Sequence, residues 1–255
     1  FGVHTCIHPQ IALDCRVRHP TQRLMQTPRE ICLKLLVSTE KNSSYSNIAL
    51  DKTLSKYTAL KDVDRRFITA LYYGVIERKI TLDAVIKKYS SRPADKMSDA
   101  VRGVLRMGIY QLLYMDSVPD SAAVNESVLL TKSNKNPSVS GFVNALLRAF
   151  IRDGKKLPEY KDRIQNLSAA YSCPEWIIRM WQKDYSEDVM MDMLRSSVGR
   201  PPVTVRLNTL RFGIDEITSS LQAQGAKLRM FDAPDSCAEL FGCGAVEELE
   251  AYKRG

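Results

Sequence analysis

Residues 99–116 read DAVRGVLRMGIYQLLYMD. Val101, Val104, Leu105, Gly108 and Leu112 recur at helical spacing, and Ile109 and Leu113 widen the stripe. An amphipathic surface helix has an apolar arc of about 100° and keeps the rest of its circumference polar. This segment is apolar around most of its girth, so other helices must surround it, and it is the expected centre of a bundle. Arg102 and Arg106 interrupt it, and no stretch of the chain reaches the roughly 18 uninterrupted apolar residues of a membrane span.

The segments around it supply the surrounding helices. Thr27, Pro28 and Glu30 occupy the N-cap, N1 and N3 positions of a helix start, followed by Ile31, Leu35 and Leu36 on one face and a break at Asn42–Ser43. YSNIALDKTLSKY forms a second helix and DVDRRFITALYYGVIERK a third, beginning at Asp62 or Asp64. LDAVIKKY forms a fourth, capped by Thr81 and ended before Pro93. Ser98 and Asp99 open the central fifth helix, and two more are expected at about 120–133 and 139–152, joined by KSNKNPS. No strand pattern intervenes. Residues 27–156 therefore read as an all-α bundle, and residues 1–26, which lack periodicity, as an unstructured leader.

GKKLPEYKDR is the expected linker, and after it the pattern changes. Helices are predicted at 160–170, 174–185 and 186–197, with Trp176 and Trp181 in the core. GRPPVTVRLNTL alternates Val203, Val205 and Leu207 with Thr204, Arg206 and Asn208 as a strand does. GIDEITSSLQAQGA is an amphipathic helix, and KLRMF and CAELFG are two more strands. Residues 157–255 read as a small α+β unit, and the chain as a whole as mainly α.

Charge divides along the same line. Residues 1–158 hold 25 Lys and Arg against 14 Asp and Glu, a net +11, while residues 159–255 hold 12 against 15, a net −3. A cationic first part points to a polyanionic partner, with RNA the expected one. The candidate phosphate ligands are Arg102 and Arg106, one turn apart, Lys132 and Lys135 around the loop, and Arg148, Arg152, Lys155 and Lys156 at the end of the seventh helix, with Arg206 and Asn208 on a strand of the second unit. Tyr45, Tyr73 and Tyr110 are expected in the core rather than as base-stacking rings.

Several segments resemble a known family. PREICLKLLVSTEKNSSYSNIALDKTL, DRRFITALYYGVIERK, LRMGIYQLLYMDSVPDSAAVNESVLLTKS and GFVNALLRAF are similar to the NusB RNA-binding fold, in the version found at the N-terminus of the RsmB (Sun/Fmu) 16S rRNA cytosine-C5 methyltransferases. LSAAYSCPEWIIRMWQKDY and PPVTVRLNTLRFGIDEITSSLQAQG resemble the connecting domain of that family, with Cys173 in place of a larger residue. The resemblance implies a NusB-like bundle, an α+β connector and 16S rRNA as partner. It also implies S-adenosylmethionine as the cofactor of the full-length family and a catalytic domain beyond this chain, which would leave the chain inactive alone. A stand-alone NusB-like antitermination factor is the alternative.

No catalytic or cofactor residues are expected within the chain itself. Cys173-Pro174 reverses the family's Pro-Cys order, and the lone Gly242-x-Gly244 is a weak cofactor signal. Cys6, His8, Cys15 and His19 have no common zinc spacing, so no metal is expected. The six scattered cysteines and the absence of an apolar h-region in FGVHTCIHPQ lead to a cytoplasmic expectation, with no membrane partner. One oddity is left, because Asn125 and Asn144 interrupt apolar runs of adjacent helices. They are expected to satisfy one another, or nearby backbone, as a buried polar latch.

Overall fold

A computed structural model describes residues 26–42, 45–92, 96–133, 139–199, 202–232, 234, 236–243 and 246–254. The first seven helices are α1 (Pro28–Asn42), α2 (Ser46–Lys56), α3 (Asp62–Glu77), α4 (Lys79–Tyr89), α5 (Asp99–Tyr114), α6 (Asp120–Ser133) and α7 (Ser140–Arg152). Three more follow, α8 (Arg163–Tyr171), α9 (Glu175–Asp184) and α10 (Glu187–Ser196). Then come β1 (Val203–Arg206), α11 (Ile214–Ala223), β2 (Lys227–Met230), β3 (Cys237–Phe241) and α12 (Glu250–Arg254). The chain divides into two units, through Arg195 and from Ser196.

Local sequence starts the helices as expected. Thr27 Oγ1 accepts from the Glu30 N–H (3.2 Å) while Glu30 Oε2 accepts from the Thr27 N–H (3.0 Å), a reciprocal capping box. Ser98 Oγ accepts from the Val101 N–H at the start of α5. The centre of the bundle is α5, which packs against α1, α3, α4, α6 and α7. Val104, Leu105, Met107 and Ile109 are buried on it among Ile31, Leu33, Ile68, Leu71, Leu82, Ile86, Leu147 and Phe150. Gly108 lets α6 and α7 approach it. A Cβ there would lie 2.8 Å from Ser127 Oγ and 2.9 Å from Leu147 Cδ1.

Thr81 does not cap α4. That helix starts at Lys79, and the buried Thr81 hydroxyl instead donates to the Ala169 carbonyl of α8 (2.6 Å). The Ile80 N–H, which has no partner within α4 because it lies in the first turn, donates to Ser172 Oγ (3.2 Å). Ser172 is the left-handed C-cap of α8, with φ 53° and ψ 30°. These two bonds tie α8 to α4, and residues 157–195 accordingly share the unit of the bundle. The division read from the sequence at 157 and the unit boundary after Arg195 fall at different places.

A small core of Ile164, Cys173, Ile178, Met190 and Leu194 holds α8–α10 together. Trp181 packs against it, but Trp176 is 66% exposed, contrary to the expected core position. Trp176 lies about 200° around the helix from the buried Ile178, and Ile177, Ile178 and Trp181 already fill the inward face of α9.

In the second unit the strands form an antiparallel sheet of order β1-β3-β2, with Val205 opposite Ala238 and Leu228 opposite Leu240. Alternation sends Val205, Leu228 and Leu240 to one face, where they meet Leu207, Ile217, Leu221 and Leu249. Glu239 lies on the opposite face, buried and ion-paired with Arg229 across the β2–β3 pair.

Candidate nucleic-acid interface

The cations picked out in the sequence separate into three groups. Arg106 belongs to the interior, with a side chain only 7% exposed. Its Nε and one Nη donate to the two oxygens of Asp83 (2.7 and 2.8 Å), and the other Nη donates to Glu40 (3.1 and 3.3 Å). Arg102, one turn earlier, donates to Asp99 (2.8 Å) and lies 3.5 Å from Glu40. Both were expected to be phosphate ligands. The structure turns them toward carboxylates of α1, α4 and α5, because this side of α5 faces neighbouring helices rather than solvent.

Glu40 gathers this network. Burial alone would raise its carboxyl. The hydrogen bond from Lys79 and the charges of Arg106 and Arg102 outweigh that and lower it to about 2. A carboxylate depressed in the folded state stabilises fully above its unfolded pKa, about 4.3, and the contribution is lost as pH falls toward the folded value. Glu40→Gln is therefore expected to be less stable than wild type at neutral pH, with the gap narrowing below about pH 4.5. Thermal midpoints measured from pH 7 downward check this; a gap independent of pH rules it out.

The second group lies on the outward side of α6 and α7. Lys132, Arg148, Arg152 and Lys156 are exposed. Lys155, half-buried, is spent on Asp120 (2.7 Å), which ties the end of α7 to the start of α6 and sets the two helices antiparallel. Lys135 lies outside the described residues. The expected asparagine latch is absent. Asn125 is exposed, and Asn144 Oδ1 accepts from Arg148 Nε (2.9 Å). Each follows directly after a buried valine, Val124 and Val143, and the 100° step of a helix turns it toward solvent. Neighbouring partners with no signal in the sequence are Lys88 and Tyr89 at the end of α4, which both bond Asp153 just after α7. Those two hydrogen bonds, from Tyr89 and then Lys88, hold the Asp153 carboxyl below its ordinary range.

The third group is in the second unit. Arg206 and Asn208 are exposed at the end of β1, beside a cleft of about 480 Å³ also lined by Leu207, Ile217, Leu221 and Tyr252. The tyrosines do not behave as one class. Tyr45 is 78% exposed, Tyr73 is 38% exposed, and Tyr110 is half-buried, its ring crossing the bare face of Gly74. The exposure of Tyr45, which precedes α2, and of Tyr73 on α3 overturns their core expectation.

Gly242 closes β3 with φ 70°, but β3 is the middle strand of an antiparallel sheet and is followed by a 3-10 turn at Val246–Glu248. A nucleotide-type cofactor loop needs a strand leading into a helix whose N-terminal amides face the ligand, and Gly244, the second glycine of the pair, lies outside the described residues. Among the described residues no three His, Cys, Asp or Glu side chains are grouped to hold a metal, and no helix is long and apolar enough to cross a membrane. Cys6, His8, Cys15 and His19 lie outside the described residues.

Known proteins share this arrangement. Residues 26–152 match the NusB family, and residues 173–240 match the Methyltr_RsmF/B-like, ferredoxin-like domain. A Bacillus subtilis (strain 168) protein named probable ribosomal RNA small subunit methyltransferase B is 30% identical over 230 residues, 89% of this chain and 50% of the relative. Its namesake in Synechocystis sp. is 33% identical over 235 residues, 91% of this chain and 52% of the relative. The crystal structure of PH0851 shares the fold over 90% of this chain and 52% of that one, with a TM-score of 0.60 and 20% identity. The chain spans about half the length of the curated relatives it matches. It is thus built from a NusB family domain followed by an RsmF/B-like ferredoxin-like domain.

Proposed function

We propose that this chain is the RNA-binding portion of an S-adenosylmethionine-dependent 16S rRNA cytosine-C5 methyltransferase acting in the cytoplasm, and that its role is to recruit rRNA. The observation that carries the reading is the order of the two domains, matched across nine-tenths of the chain by relatives named for ribosomal RNA methylation. The net +11 of residues 1–158 supports a polyanionic partner. An antitermination factor of NusB type accounts for residues 26–152 but leaves the ferredoxin-like domain without a purpose. Two thiols are unsuited to nucleophilic work, since Cys32 and Cys173 are both buried and burial raises both.

Of the cations of the helical unit expected to meet RNA, Lys132, Arg148, Arg152 and Lys156 keep the exposure that binding a phosphate requires and Arg106 does not, while Arg206 keeps it in the second unit. Filter binding of the chain to a 16S rRNA transcript over a salt series tests the proposal. The logarithm of affinity is expected to fall linearly with that of salt. Glutamine at each of those four positions is expected to reduce the slope by about one for every phosphate left without its cation. Absence of binding, or binding indifferent to salt, sinks it.

A further inference from the structure

Several arginines described in the helical unit are drawn to carboxylates. Arg102 pairs with Asp99, Arg106 with Asp83 and Glu40, Arg163 with Glu187, Arg179 with Asp162 and Glu175, and Arg195 with Asp192. Arg148 differs. Among the described residues its guanidinium meets no carboxylate, and it donates instead to the amide oxygen of Asn144, one turn back on α7. The helix itself, SGFVNALLRAFIR, carries two arginines and no acid.

The choice of amide has a chemical consequence. A carboxylate at position 144 would form an ion pair at i,i+4 spacing and cancel the charge of Arg148. An amide accepts the Nε–H and leaves the charge whole. Because the guanidinium is planar, fixing Nε fixes the direction of the whole fork, and the two Nη groups are left to grip two oxygens of one anion. Arg152 stands one further turn along the same helix, and Lys132 is exposed on the antiparallel α6.

We infer that Asn144 is a positioning residue that aims Arg148, uncancelled, at a phosphodiester of RNA. The inference rests on the RNA-binding reading above and refines it. It also gives a role to the amide in this helix, whose oxygen meets Arg148.

Binding of the full chain to a 16S rRNA transcript, paired with thermal unfolding, tests it. Asn144→Leu is expected to weaken binding about threefold to tenfold, the worth of one oriented hydrogen bond, with the unfolding midpoint unchanged. Asn144→Asp, which keeps the acceptor but cancels the charge, is expected to bind more weakly still and to lose about one unit of salt slope. In an Arg148→Ala background, Asn144→Leu is expected to add nothing. Inorganic phosphate at matched ionic strength is expected not to displace the transcript. Wild-type binding with Asn144→Leu equal to wild type overturns the inference and leaves RNA binding standing. Additive losses in the double variant, a lowered midpoint, or displacement by inorganic phosphate overturn it as well. Failure of the wild type to bind removes the RNA reading itself.

Discussion

Replacing Arg106 with methionine is expected to destabilise the helical unit by about 3–5 kcal/mol, the usual cost of removing one partner from a buried charge pair. The loss exceeds that of a surface ion pair because Asp83, about 31% exposed, loses both of its bonds to the guanidinium, while Glu40 keeps Lys79 at 2.9 Å. Methionine fills much of the volume of the arginine stem, so the effect reports charge rather than a cavity. Arg106→Lys is expected to recover only part of it, since an ammonium cannot make the parallel bonds to both Asp83 oxygens. Urea unfolding followed by far-ultraviolet circular dichroism gives the number. A midpoint equal to that of wild type would show that the network contributes nothing net. RNA affinity per folded molecule is expected to be unaffected.

Gly108→Val is expected to cost about 1–3 kcal/mol by overpacking. The new side chain would start 2.8 Å from Ser127 Oγ and 2.9 and 3.1 Å from the two methyl carbons of Leu147. Ser127 and Leu147 are 1% and 0% exposed, so neither can swing aside into solvent, and α6 or α7 must move. Gly141 serves as the control. A Cβ there meets nothing within 4 Å, and Gly141→Ala is expected to be neutral or to stabilise by up to about 1 kcal/mol through helix propensity. The same urea measurement compares the two; equal effects would mean that the close approach at Gly108 is unimportant.

The order and nature of the elements are legible in the sequence because each rests on a local signal. The Thr27–Glu30 capping box and the Ser98 cap reappear as bonds, and of the period-two alternation Val205 and Leu207 reappear in the core while Val203 is 46% exposed. The central place of α5 follows from its wide apolar stripe. Charged positions are harder to read. Arg106 and Arg148 carry the same side chain at helical positions, and the sequence treats them alike. Their fates differ because α1 and α4 bring Glu40 and Asp83 to one of them, which is a fact of tertiary packing. Asn125 and Asn144 mislead for a related reason. Each borders buried residues in sequence, and one 100° step separates the buried side of a helix from the wet one. A signal for Asn144 is present, in its i,i+4 spacing from an arginine.

The two hydrogen bonds that join α8 to α4 bear on where this protein can be cut. A piece ending at Arg152, where the NusB match stops, would strip the Thr81 hydroxyl of its acceptor and the Ile80 amide of its cap. Thr81 is fully buried in the intact unit, so the excised surface would be a fresh wound rather than a natural face. The seam along which the sequence is recognised is not the seam along which the molecule parts. A graft of this bundle onto another protein should therefore carry residues 153–195 with it.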